Sequence, residues 1–287
     1  MNYLISIFSV GTVYALITVG FALVYGVLKL SNFSHGVVMV VGAYIGYFLT
    51  LNGVHWAIAL LAATVGCAVL SMIIEFIALR RLRNNDSPPI YLFVASVTVL
   101  IIINSMLDIA FGSGARIFPK IIENPTLNLF GLELPKVNFL IIAICAGLLL
   151  VLTWFLTKTK VGISIRAAAA DQSVCRLMGI NTNLTITLVF ALAGALAGVA
   201  GMFLGISYSV YPGLSSMLGK AFVATIIGGL GSLPGAVIGA FILASLQIIT
   251  QLYAGWAWVS IVSFTLTVVF LYLRPRGIMG AKFETKV

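Results

Sequence analysis

The stretch "KAFVATIIGGLGSLPGAVIGAFILASLQIIT", residues 220–250, reads as two apolar segments around a glycine-rich break, "GGLGSLPG" at 228–235. As a helix at about 1.5 Å per residue, the first segment (219–231) covers only about 20 Å, too little to cross a bilayer core alone. The second, 234–252, is long enough. Their arrangement depends on the face the chain occupies before and after them, and so on the rest of the sequence.

The chain has 287 residues, 61% hydrophobic and 8% charged, more apolar surface than a water-soluble domain hides. Further apolar runs near 3–28, 34–51, 56–79, 91–111, 138–157, 184–206 and 256–273 complete eight predicted spans. The fold class is an all-α polytopic transmembrane bundle, and 1–287 reads as a single domain. Net charge is +9, but the basic residues gather at helix ends: Arg80, Arg81 and Arg83; Lys158, Lys160, Arg166 and Arg176; Arg274, Arg276, Lys282 and Lys286. That is the cytoplasmic pattern, and it meets anionic headgroups rather than nucleic acid. With these residues and Lys29 inside, the N-terminus and the loop 112–137 lie outside. Arg116, Lys120 and Lys136 are then external, and Lys220 sits in the membrane. Cys67, Cys145 and Cys175 lack metal spacing and are expected to pack as small apolar groups. No basic n-region precedes residues 1–28, which read as a retained first span.

On this topology residue 207 is outside and the tail from Arg274 inside, so 219–252 must begin and end on one face. A half-helix that turns at 228–235 and returns as 234–252 meets that condition, with Gly228, Gly229, Gly231 and Pro234 as candidate pathway residues. Irregular backbone at membrane depth survives only inside protein or along a wet cavity. The rival is two complete spans, the first starting nearer residue 213. Small residues four apart (Gly42/Gly46, Gly194/Gly198, Gly201/Gly205, Gly235/Gly239) predict close helix approach, within the bundle or between subunits.

The segment "KLSNFSHGVVMVVGAY", 29–44, is unusually polar for its place. Ser31, Asn32 and Ser34 suit an N-cap, but capping does not account for His35, followed by Gly36, just inside a span. Asn32, Ser34, His35 and Gly36 are therefore a candidate polar elbow or gate beside a translocation path. Lys220 either neutralises a passing carboxylate or snorkels to headgroups. Asp108 and Glu75 read as interfacial polar residues, Glu75 with Arg80 and Arg81 within reach. Trp56, Tyr208, Tyr211, Tyr253, Trp256 and Trp258 fall near external ends, as an aromatic belt does.

The loop 158–183 is predicted to carry a helix over 163–178. Ile163, Ala167, Ala170, Val174 and Leu177 recur at spacings of four and three, a narrow apolar stripe, with Arg166, Asp171, Gln172 and Arg176 as its polar remainder. Gly179 is placed to end it in the left-handed conformation, with Ile180 as the accompanying hydrophobic contact. So short a helix needs a surface, either the membrane interface or a groove on a cytoplasmic partner.

Enzyme chemistry finds no footing. The string nearest a P-loop, "GLSSMLGKA" at 213–221, has five residues between its glycines and Ala where Ser or Thr would bind magnesium. There is no HExxH, paired-cysteine motif or serine elbow, and two His and seven carboxylates leave little to build with. Neither a catalytic residue nor a metal site is expected.

"NFSHG", "RAAAADQSVCRLMGIN", "KAFVATIIGGLGSLPGAVIGA" and "LRPRGIMG", in that order, resemble the signature segments of the LivH-type permease of branched-chain amino acid ABC importers. The likeness runs from about Gly11 to Gly280; 112–137 is its least similar part. Urea, short-amide and other amino acid importers have similar permeases. The resemblance implies a periplasmic binding protein, a LivM-like second permease subunit and two cytoplasmic ATPase subunits that bind ATP and Mg, this chain holding no cofactor. It implies a bacterial inner membrane location and makes 163–178 the coupling helix seated in the ATPase. Arg166, Ala170, Asp171, Leu177 and Gly179 match that segment, and Gly162, Ile163, Val174 and Ile180 complete the docking set. The broader importer pattern opens this loop with Glu-Ala-Ala; here no Glu is present and 167–170 carry the alanines. A self-sufficient, ion-coupled secondary transporter is the competing class, for which a broken helix is equally natural. It would not need a capped docking helix.

Overall fold

Lipid offers backbone amides no partner, so a chain this apolar must satisfy them within helices. In the computed structural model it does. The structure describes residues 2–85, 87–122, 126–129, 132–274 and 277–280. Arg276, Lys282 and Lys286, expected to be cytoplasmic, lie outside the described residues.

In chain order the helices are α1 (Asn2–Leu28), α2 (Ser34–Leu51), α3 (Trp56–Ile74), continued through a π turn (Glu75–Leu79) into α4 (Arg80–Asn84), and α5 (Pro89–Phe111). A small antiparallel hairpin, β1 (Thr126–Leu129) and β2 (Leu132–Pro135), sits in the loop before α6 (Lys136–Lys158). Then follow α7 (Lys160–Ala170), α8 (Gln172–Leu177), α9 (Thr182–Tyr208), a 3-10 turn (Pro212–Ser216), α10 (Met217–Gly228), α11 (Leu233–Ala254) and α12 (Trp256–Leu273). Among the described residues, 8 helices are long and apolar enough to cross a membrane. Each lies within a few residues of an expected span.

α1, α2 and α9 bury most of their surface, whereas α5, α6 and α12 expose most of theirs at the rim of the bundle. Glycine lets α9 wedge between α2 and α3. Gly198 backs onto Gly42 of α2 on one side and the Ala63 carbonyl of α3 on the other, and Gly201 sits on the Met39 carbonyl. The small pairs therefore serve contacts within this chain. All three cysteines are buried and unbridged.

One end of the bundle gathers Arg80, Arg83, Arg176 and the ends of α1 and α6, and is here termed the basic end. The break at 228–235 is present, as a turn over 229–232 between antiparallel α10 and α11, where Gly228 meets Gly235 and Ala224 meets Gly239. Its level differs from expectation. A Cβ on Gly231 would lie 3.8 Å from the Gly26 Cα, two residues short of the end of α1, and Gly229 lies against Gly277, so the turn is at the basic end. The irregular backbone inside the bundle is 209–216 instead. It runs from Val210, paired with Arg116 at the opposite end, down to Ser215 beside Gly36. Length explains this: the 12 residues of α10 rise about 18 Å, and the steeper 3-10 turn, at about 2.0 Å per residue, covers much of the rest. The segment still starts and finishes on one face, as parity required.

Candidate functional site

The elbow between α1 and α2 is built from side chains that replace missing backbone partners. Lys29 takes a left-handed φ of 56° and turns the chain back along α1. Asn32, 3% exposed, accepts from the Ser34 amide (3.2 Å) and hydroxyl (2.7 Å) through Oδ1. The N-cap position itself is Phe33, whose side chain cannot cap, a correction to the capping expectation. Ser96 of α5 supplies the polar partner instead, accepting from the Phe33 amide at 3.1 Å. His35 is 2% exposed, and its ring packs against Gly20, where an added Cβ would sit 2.9 Å from Cε1. Gly20 is eight residues before Leu28, so α2 begins about 12 Å inside the end of α1. Gly36 faces the Ser215 carbonyl and Leu218. The structure thus sets Gly36 against the descending 209–218 segment, while His35 turns to α1 and Asn32 and Ser34 bond each other.

The glycine turn is held from two sides. Gly229 and Gly231 have φ of 108° and 84°, Ser232 caps α11 by accepting from the Gly235 amide at 3.2 Å, and Pro234 lies in its first turn, where no donor is missed. The Ile278 and Met279 amides each donate at 2.9 Å to the carbonyls of Ile227 and Gly228. The tail thereby satisfies carbonyls that the end of α10 leaves open.

Lys220 turns inward. Its Nζ is 3.1 Å from Gln247 Oε1 and 3.5 Å from the Tyr14 hydroxyl. Tyr14 donates to the same amide oxygen at 2.7 Å, and Gln247 Nε2 donates to the Tyr208 hydroxyl at 3.1 Å. Tyr208 also lines a cleft of about 510 Å³ at the end opposite the basic one, with Tyr3, Ser6, Gln251 and Trp256. Sequence reasoning singled out Lys220 and placed Tyr208 in the aromatic belt, but missed Tyr14 and Gln247. Gln247, an amide in the middle of the otherwise apolar 22-residue helix α11, was the available signal.

The expected helix over 163–178 is two helices. Asp171, extended at φ −155° and ψ 116°, ends α7 and caps α8, accepting from the Ser173 (2.8 Å) and Val174 (3.1 Å) amides. Its carboxylate competes with the helix for backbone donors, which breaks the run. Gly162 is buried against the Phe155 and Leu156 carbonyls of α6, so it closes the α6–α7 turn. Gly179 is left-handed (φ 78°), and the Ile180 amide donates to the Cys175 carbonyl at 2.9 Å, a Schellman closure. Ile165, Ala168 and Cys175 face inward, while Ile163 (53% exposed), Val174 (52%) and Leu177 (87%) face out, beside exposed Arg166 and Ala170. Gln172 Nε2 donates to the Val27 carbonyl at 2.7 Å, tying α8 to the end of α1.

Beside this segment lies a cluster that the sequence reading placed otherwise. Glu75 is fully buried, not interfacial; it pairs with Arg80 (3.0 Å), as expected, and with Arg83 (2.9 Å) in place of Arg81. Arg83 also donates to Asn183 at 2.9 Å and Arg80 contacts Thr187, so α3 and α4 are clamped to the first turns of α9.

The sequence profile described as "Branched-chain amino acid transport system / permease component" matches residues 3–271. The chain is 32% identical to the "High-affinity branched-chain amino acid transport system permease protein LivH" of Escherichia coli K12, over 97% of this chain and 95% of that protein. It is 29% identical to permease protein BraD of Pseudomonas aeruginosa, over 100% of this chain and 98% of that one. A solved structure, PsaBC from Streptococcus pneumoniae in complex with Fab, aligns over 96% of this chain and 91% of that chain with TM-score 0.48 and 16% identity, too distant a likeness to bear on the site.

Proposed function

Because the chain belongs to the branched-chain amino acid transport permease family, we propose that it is the LivH-like subunit of an ABC importer in a bacterial inner membrane. In this reading it passes branched-chain amino acids delivered by a periplasmic binding protein. A LivM-like subunit completes the pore, and two cytoplasmic ATPase subunits bind ATP and Mg and drive the cycle. The observation that carries the assignment to a nucleotide-driven machine is the outward row of Ile163, Val174 and Leu177 on two short, capped helices. Leu177, at 87% exposure, contributes nothing to this chain's own core. Nucleotide-driven closure of the ATPases would move α7 and α8. The Gln172–Val27 hydrogen bond and the Glu75 clamp then pass that displacement to α1, α3 and α9, a bistable bundle switching access.

The test is co-purification and reconstitution. The double variant Val174→Asp/Leu177→Asp is expected to fold, to lose its ATPase subunits on purification and to abolish nucleotide-driven leucine uptake in proteoliposomes. Ion-gradient-driven uptake by the lone chain, or ATPase binding unaffected by both aspartates, overturns the reading.

A further inference from the structure

Two donors from different helices share one neutral acceptor inside this bundle. Lys220 of α10 and Tyr14 of α1 both point hydrogens at Gln247 Oε1, from 3.1 and 2.7 Å. Gln247 is 1% exposed. The Lys220 ammonium also lies over the Tyr14 ring, 5.9 Å from its centroid. Both ion pairs among the described residues use Glu75, so within that set Lys220 has no carboxylate partner. An amide oxygen meets the geometric need of an ammonium group but not its charge, which a carboxylate would answer with a shorter, fully charge-paired bond. An intramembrane ammonium held this way marks a pathway. Its acceptor is one hydrogen bond from the outer cleft: Gln247 bonds Tyr208, which borders that cleft.

We infer that Lys220, Tyr14 and Gln247 form a carboxylate station on the import path. An α-amino acid entering by the outer cleft past Tyr208 places its carboxylate between Lys220 Nζ and the Tyr14 hydroxyl, displacing the Gln247 amide oxygen. In the unloaded state Gln247 keeps the two donors together. It gives way readily, since each exchanges a neutral acceptor for a charged one. No bond is made or broken, and the substrate leaves as the amide returns. The inference rests on the import reading above, and its substrate class is the free carboxylate rather than any particular side chain.

The experiment uses the complete importer in proteoliposomes, with L-leucine as probe, alongside equilibrium binding of L-leucine to the detergent-solubilised complex without binding protein, competed by leucinol. Gln247→Glu keeps the side-chain volume and supplies a permanent internal anion. It is expected to cut uptake and binding by about tenfold or more, with ATPase subunits still co-purifying, because the station is already filled. Lys220→Met is expected to do the same, Lys220→Arg to retain most uptake, and leucinol to compete at least about tenfold more weakly than leucine. A lysine that only braces the helices predicts the reverse for Gln247→Glu, whose new ion pair would brace them better. Uptake by Gln247→Glu or Lys220→Met within about twofold of wild type overturns the station and leaves the import reading standing. If Lys220→Met does not fold, Gln247→Glu decides. If the wild-type complex shows no nucleotide-driven leucine uptake, it is the import reading that falls.

Discussion

At the scale of single residues, Glu75 shows how a short local distortion decides which neighbours a carboxylate meets. In a regular α-helix the residue five positions on is rotated well away from the first; nearness in sequence pointed to Arg80 and Arg81, and Arg83 was the partner it missed. The π turn Glu75–Leu79 adds an i→i+5 repeat, and Arg80 swings under the carboxylate while Arg83 closes from the next turn. Both guanidinium groups then reach across to α9. Removing the carboxylate strands two buried or half-buried cations, and breaking a buried pair this way costs about 3–5 kcal/mol. Glu75→Gln is therefore expected to lower the thermal midpoint of the purified complex markedly. Arg81→Gln, outside the pair, is expected to leave it within error. Differential scanning fluorimetry in detergent reads both, and equal effects would sink the clamp.

At the scale of elements, the spans were legible because hydrocarbon admits little besides helix: runs of apolar residues become helices whatever their neighbours do. What apolarity does not encode is the path of backbone that is not helical. The 209–216 descent and the basic-end position of the 229–232 turn depend on Val210 pairing with Arg116 and on the tail amides reaching the end of α10, contacts between residues far apart in the chain. The break at Asp171 was legible in principle, since Asp with Ser two residues later is an N-cap signal; the apolar periodicity across it masked the stop. Asp171→Ala deletes the acceptor for the Ser173 and Val174 amides, a change worth about 1 kcal/mol in a typical cap. In a helix of 6 residues that suffices to fray it. Faster hydrogen exchange over 172–178, with α9 unchanged, is expected, along with weaker ATPase retention. Unchanged exchange would mean that packing of Cys175 alone holds α8.

At the scale of the whole molecule, the candidate site exists only because helices distant in sequence come close enough for side chains at mid-depth to touch, and glycine sets that distance. Sequence spacing identified the small residues but could not say whether they face a neighbour helix or another subunit; Gly198 and Gly201 face α2 and α3 within this chain. Hydrophobicity gives helices in lipid no drive to associate, so close packing must, and a methyl at such a point acts on the entire assembly. A Cβ at Gly201 would run into the Met39 carbonyl, which cannot move aside without displacing α2, and with it His35 and the α1–α2 elbow. Overpacking of this kind costs about 1–3 kcal/mol. At Gly147, on the rim helix α6, a Cβ meets nothing within 4 Å, and Gly→Ala in a helix interior gains about 0.5–1 kcal/mol. Gly201→Ala is thus expected to lower the thermal midpoint and uptake together, and Gly147→Ala to hold or raise the midpoint with uptake intact. A bundle assembled without this packing would answer to both substitutions alike.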